Sequence, residues 1–581
     1  MLAPTLAPLL ALALAARADL TTTAEKTGFR ETGRYDEAVR LCRGLAAAHP
    51  ARARCLTFGE TPEGRPLVAL VASAGGGLDA RAARAARRPV VLLQGGIHAA
   101  EIDGKDAGFM VLRDLLASRD GGPLAKVTAL FVPVLNADGH ERFGPNHRPN
   151  QRGPEASGWR TTAQNLNLNR DYVAAQAPET QAVLRLMDAW DPIALGDLHV
   201  TDGAQFQHDL AVMVEPRQGY SPAMREEGAA LSAALVERLA AAGHLPLDFY
   251  PSLREDGDPA SGFAPYPAPI RFGHGYWAAR NRFGILLETH SWRPYAHRVK
   301  ATAHFVRALL DLAAERGGRW RAAADRADRE GAAAGGREVE LGWAPGSRTR
   351  PLAFQGYAYV REDSPVLGKK VPRYDETRPE VWNVPVVDEL VVTARARVPM
   401  GGWIVPAAHA GWMAGKLRLH GIAFERMASR RAAAQVEAFR ATAVETKAQS
   451  FEGRHQTTLA GAWAPEARDL APGWLWVPSA QPLAPLAAML LDPAGPDAFV
   501  AWGAFATAFE KKEYIEDYVL DPWARALLAK DPAVKAEFER RLADPAFAKD
   551  PAARLEFFHR RHPAHDEAYR LYPVLRAARR P

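Results

Sequence analysis

Pro89-Val-Val-Leu-Leu-Gln-Gly-Gly-Ile-His98-Ala-Ala-Glu101 carries an unbroken apolar run straight into a double glycine and a His-x-x-Glu pair. A strand buried on both faces reads as a continuous apolar run, whereas a half-exposed antiparallel strand alternates. The stretch therefore predicts a central strand over 89–94, with His98 and Glu101 where that strand gives way to a helix. Both side chains then point at one spot at the carboxyl end of the sheet, the edge where open α/β sheets place ligands. The His-x-x-Glu spacing alone is weak, since a chain of this length holds about one by accident.

Working outward, strand-like and helix-like segments alternate from about 20 to 315. Helices are predicted over 36–49, 107–118 and 178–190. Strands are predicted over 67–73, 129–135, 193–198, 210–215 and 283–288, and a long polar loop over 136–165. This alternation predicts an α/β domain with a mixed, largely parallel central sheet flanked by helices. An Ala/Arg-rich helical stretch over 301–330 ends at Gly331-Ala-Ala-Ala-Gly-Gly336, read as a domain boundary. Beyond it, strands at 389–397, 402–405, 417–425 and 474–477 predict a β-rich accessory domain over 337–581. Its end, from 521 onward, reads as helical.

The length of 581 residues exceeds what one core supports, and 48% hydrophobic with 24% charged residues excludes a disordered or coiled-coil chain. The net charge of +6 is mild for this length, and no basic run is interleaved with aromatics, so nucleic acid is not an expected partner. Residues 1–18 read as a signal peptide: an apolar stretch over 6–15, too short to span a bilayer, precedes a small-x-small cleavage site at Ala16-Arg17-Ala18. The usual basic residue before the apolar stretch is missing. A periplasmic or secreted protein with its catalytic domain over 19–330 is the expectation, and no other segment reads as a membrane span. Cys42 and Cys55 are the only cysteines, open to a disulfide or to two buried thiols.

Three further pieces share the strand-end pattern. Asp197-Leu-His199 closes the apolar run 192–198, and two His with one Glu form the ligand set of a catalytic zinc. Asn136-Ala-Asp-Gly139 opens a loop carrying Arg148, Arg152 and Arg160, followed by Asn165-Leu-Asn-Leu-Asn169-Arg170-Asp171. Amides and guanidinium groups suit carboxylate binding, because Arg grips a carboxylate bidentately and keeps its proton. Gly284-Ile-Leu-Leu-Glu288 ends another apolar run on a carboxylate, a natural general base beside a metal.

The ordered set His98-x-x-Glu101, Asn136-x-Asp-Gly139, Asn169-Arg170, His199, Glu288 resembles the zinc metallocarboxypeptidase family, over roughly residues 25–315. The resemblance implies a carboxypeptidase, exported by the N-terminal segment's reading, with one Zn²⁺ per chain held by His98, Glu101 and His199. Its substrate would be a peptide with a free C-terminus, attacked by zinc-bound water with Glu288 as general base. Asn169 and Arg170 would hold the terminal carboxylate. Arg160 matches the Arg that polarises the scissile carbonyl, with Arg152 as the other choice. Tyr276 is the expected capping tyrosine, and Tyr266 its alternative.

Two departures accompany the resemblance. Asn167 stands where the family has an acidic residue behind the first zinc histidine, so an amide carbonyl must accept the imidazole N–H. The loop over 140–165 is longer before its Trp159-Arg160 and shorter after it. Two other functions share these features: a zinc amidase or peptidase acting on peptidoglycan stem peptides, and a binding protein of the same fold without catalysis. The full set of three ligands plus Glu288 argues against the second. His559, His562 and His565 lack an acidic or thiol partner at suitable spacing and read as surface residues. Trp474, Trp476 and Trp502 read as core of a β-rich module.

Overall fold

The computed structural model describes residues 19–581, so the expected signal segment lies outside the described residues. An eight-stranded mixed sheet organises the first half of the chain. Its strands are β1 (Ala53–Glu60), β2 (Pro66–Ala72), β3 (Val90–Gly95), β4 (Thr128–Val132), β5 (Ala194–Thr201), β6 (Leu210–Glu215), β7 (Pro246–Leu247) and β8 (Phe283–His290). They lie in the order β1-β2-β4-β3-β5-β8-β6-β7. The central strands β4, β3, β5 and β8 run parallel, and β2 and β6 join them antiparallel. Every residue of β3, β4, β5, β6 and β8 is buried, which is why these segments read as unbroken apolar runs.

Helices cover both faces. Tyr35–Ala48, Asp103–Ala117, Pro222–Ala241 and Tyr295–Ala332 pack with Val91, Leu93, Leu198 and Ile285 of the sheet in one apolar cluster. Pro178–Trp190 and Gly273–Ala279 join the cluster on the other face, with Leu92, Leu130 and Leu195. Cys42, on the helix Tyr35–Ala48, is joined by a disulfide to Cys55 on β1.

Buried polar pairs lock the helix after the His-x-x-Glu segment to the sheet. Thr289 Oγ1, next to Glu288, donates to Asp103 Oδ2 at 2.9 Å, and the same carboxylate takes Arg298 Nε at 3.0 Å. Arg298 is fully buried and also donates to the carbonyls of Arg152 and Gly153, which anchors the polar loop to the helix Tyr295–Ala332.

Beyond residue 337 the chain forms two long antiparallel hairpins, Thr349–Asp363 with Lys370–Val387 and Arg431–Thr446 with Thr457–Leu470. The second belongs to a six-stranded sheet. Two expectations need correction here. The segment 417–425 is not a strand: the helix Ala407–Leu419 occupies its start and only Glu425–Arg426 pairs. Ala410, Met413, Ala414 and Leu417 are buried at helical spacing, a period that a reading of 417–425 alone does not include. The C-terminal part is helical from Asp517 to His559, but Leu575–Ala577 returns as a strand beside Gly402–Val405. Among the described residues no helix is long and apolar enough to cross a membrane.

Candidate active site

The site is assembled by three strand ends. After β3, Gly96 takes φ +59°, a left-handed conformation that favours glycine, and turns the chain so that His98 and Glu101 face the carboxyl edge of the sheet. His199 comes from β5 and Glu288 from β8. All four are buried, at 3–7% exposure, where a solvated sheet edge would leave them open.

Glu101 is the hub. Its Oε1 lies 2.9 Å from His98 Nδ1, and its Oε2 lies 3.0 Å from His199 Nδ1 and accepts the Val200 N–H at 3.0 Å. The donor atoms of His98, Glu101 and His199 all lie within 4.8 Å of one another, so two nitrogens and a carboxylate converge as a zinc site requires. One far nitrogen is also supported: His98 Nε2 lies 3.0 Å from Asn167 Oδ1, an outer contact that fixes the tautomer leaving Nδ1 free to bind a metal. His199 Nε2 lies 3.2 Å from Asp197 Oδ1 but makes no hydrogen bond within the protein.

The electrostatics suit a cation. Burial resists the Glu101 carboxylate, but Arg148, His98 and His199 hold its pKa well below the usual range. Burial pushes His98 down to about 4, which keeps its imidazole neutral. Burial works against the His199 cation too, yet Asp197 and Glu101 outweigh it and raise its pKa. Glu288 is pushed up to about 8, first by burial and then by Glu101, while His199, Arg148 and Arg160 pull it back. Its Oε2 is buried without a hydrogen-bond partner from the protein.

A cleft of about 500 Å³ opens over these groups. Asn169 and Arg170 line it. Asn169 Oδ1 accepts the Gly273 N–H at 3.0 Å, and Arg170 lies 4.0 Å above the Phe272 ring. Arg170 forms no ion pair among the described residues. Burial, with Arg160 and Arg271 nearby, lowers its pKa to about 10. An anion entering the cleft would relieve that unfavourable concentration of positive charge.

The three loop arginines separate. Arg160 points into the cleft, 3.1 Å from Glu101 Oε1. Arg148 does so as well, 2.8 Å from the same oxygen, where the sequence names it only among the loop's carboxylate-binding candidates. Arg152 does not line this cleft: it pairs with Glu376 at 2.9 Å and lines a neighbouring cavity. The expectation for Tyr276 is also corrected. It is fully buried on the helix Gly273–Ala279, with its hydroxyl 2.7 Å from His420 Nδ1, and does not line the cleft. Tyr266, 66% exposed, and Tyr250 line the cleft instead. Part of the wall comes from beyond residue 337, through Leu341, Trp343, Pro496 and Asp497, which no local motif announces.

Residues 38–212 match the family model for zinc carboxypeptidases. The zinc carboxypeptidase match includes His98, Glu101, Asn169, Arg170 and His199, and ends before Glu288. Among solved structures the chain is similar to a metallo-carboxypeptidase from Burkholderia cenocepacia, at 18% identity and a TM-score of 0.34, over 46% of this chain and 67% of that one. It is also similar to a metallo-carboxypeptidase from Pseudomonas aeruginosa, at 15% identity and a TM-score of 0.35, over 49% and 69%. Carboxypeptidase A from Helicoverpa armigera gives 16% and 0.34, over 50% and 74%. No curated protein matches the chain.

Proposed function

We propose that the protein is an exported zinc-dependent carboxypeptidase that removes the C-terminal residue of peptides. Its catalytic domain would span 19–330, with 337–581 as an accessory domain that contributes part of the cleft wall. The observation that carries the reading is Arg170: a guanidinium with Glu452 in its vicinity but no carboxylate within ion-pair distance among the described residues, in the same cleft as a His₂Glu cluster and a buried carboxylate. A substrate's terminal carboxylate is the anion that this arrangement lacks.

His98, Glu101 and His199 would hold the zinc. When bound, zinc acts as a Lewis acid that lowers the pKa of water and polarises a carbonyl. Glu288 accepts a proton at its carboxylate and returns it to the leaving amine. A nearby cation lowers the proton affinity that burial raises, which leaves the carboxylate ionised and able to accept a proton. Arg160 and Arg148, both beside Glu101 in the cleft, would supply positive charge to a developing oxyanion. Arg170 and Asn169 fix the chain end, so only the last peptide bond reaches the reacting groups. The disulfide Cys42–Cys55 supports an oxidising compartment. Zinc content measured together with cleavage of free-ended and end-blocked peptides tests the reading.

A further inference from the structure

A second group of metal-binding side chains stands apart from the cleft. Asp209 immediately precedes β6, His244 lies between the helix Pro222–Ala241 and β7, and His297 is in the first turn of the helix Tyr295–Ala332. Asp209 Oδ2 lies 2.6 Å from His244 Nδ1 and 2.7 Å from His297 Nε2. The three donor atoms all fall within 4.8 Å of one another. None of these residues lines the cleft over His98 and Glu288.

We propose that Asp209, His244 and His297 form a second site for a zinc-type divalent cation. Two imidazoles and one carboxylate suit zinc and its borderline neighbours better than calcium or magnesium, which prefer oxygen ligands. The surroundings are built for such a role. Asp209 Oδ1 accepts the Leu245 N–H at 2.9 Å, which orients the carboxylate. His244 Nε2 lies 2.9 Å from His304 Nδ1, on the same helix as His297. With a cation on Nδ1, His244 carries its hydrogen on Nε2 and donates it to His304, the outer hydrogen bond that metal-bound imidazoles make. His297 is 42% exposed at its side chain, so the site opens to solvent on one side for entry and for a water ligand.

The cation would tie three separate chain segments together. The Asp209 carbonyl accepts the His290 N–H at 3.1 Å, and Ala211 pairs with Glu288 across β6 and β8. The second site therefore braces the strand pair that carries Glu288 without touching the cleft.

The test is zinc stoichiometry of the full chain, reconstituted with zinc and dialysed against metal-free buffer. Wild type should hold two equivalents. His297→Ala, which removes a half-exposed side chain, should hold one. The pair His98→Ala/His199→Ala should also hold one, and its Tm should rise on adding zinc, whereas adding His297→Ala to that pair should abolish both. Equal zinc content in wild type and His297→Ala overturns the proposal, whether or not the double variant folds. Loss of zinc from the double variant alone reports on the cleft site, so the two readings fail separately.

Discussion

His199 on β5 and Glu288 on β8 are register partners across a parallel strand pair. Their side chains therefore rise from the same face of the sheet, one strand spacing apart, and no loop motion is needed to bring them together. Rigid strands set the distance between candidate metal ligand and candidate base, and Asp103 bonds Thr289 to the helix that follows Glu101. A site held this way has little freedom to drift.

Glu288→Gln should keep the fold and the zinc while losing most turnover. The amide fills the same space but cannot take a proton, and general base catalysis contributes roughly 10²–10⁴-fold. Steady-state kcat with zinc content on the same sample checks it. A variant within a few-fold of wild type would remove Glu288 from the role.

His98→Ala should lose the cleft zinc, because it deletes one of three converging donors. Asn167→Ala should keep the site but weaken it, since Asn167 Oδ1 lies 3.0 Å from His98 Nε2. Loss of such an outer partner typically costs about 10–100-fold in metal affinity. Competition with a chelator measures both, and unchanged affinity in either variant would reject the ligand assignment or its support.

The legible parts of this molecule are those where burial alone dictates the sequence. β3, β4, β5 and β8 are buried on both faces, so their apolar runs stand out and the residues at their ends can be picked. The irregular loop is harder. The sequence favours Arg160 and then Arg152 over Arg148, yet tertiary contacts turn Arg152 toward Glu376 and Arg148 toward Glu101. Distance along the chain from Glu288 points to Tyr276, but on a helix the direction of a side chain decides, and Tyr276 faces His420. Trp343 and Asp497 reach the cleft from far along the chain, a relationship without any local pattern.

Glu179 gives a prediction about pH and stability. It sits in the first turn of the helix Pro178–Trp190, fully buried, with both carboxylate oxygens unpartnered. Burial, with Asp138 and Asp171, raises its pKa to about 7 from the ordinary 4.5. The folded state therefore binds the proton more tightly than the unfolded state, so stability falls as pH rises between about 4.5 and 7. Glu179→Gln should match wild type below about pH 4 and be more stable by roughly 3 kcal/mol at about pH 8. Denaturant unfolding at the two pH values measures the difference. Equal stability at both would show that the carboxylate finds a partner.

The most direct measurement is a double cycle on Arg170. Wild type and Arg170→Ala are each assayed on a free-acid peptide, chosen from a panel for cleavage by wild type, and on its C-terminal amide. Wild type should prefer the free acid, because amidation deletes a charge-assisted pair worth roughly 1.5–3 kcal/mol in kcat/KM. Arg170→Ala should lose about as much on the free acid and little more on the amide, since both changes remove one interaction. Equal cleavage of the two peptides by wild type would contradict the carboxypeptidase account and leave a zinc endopeptidase or amidase in its place.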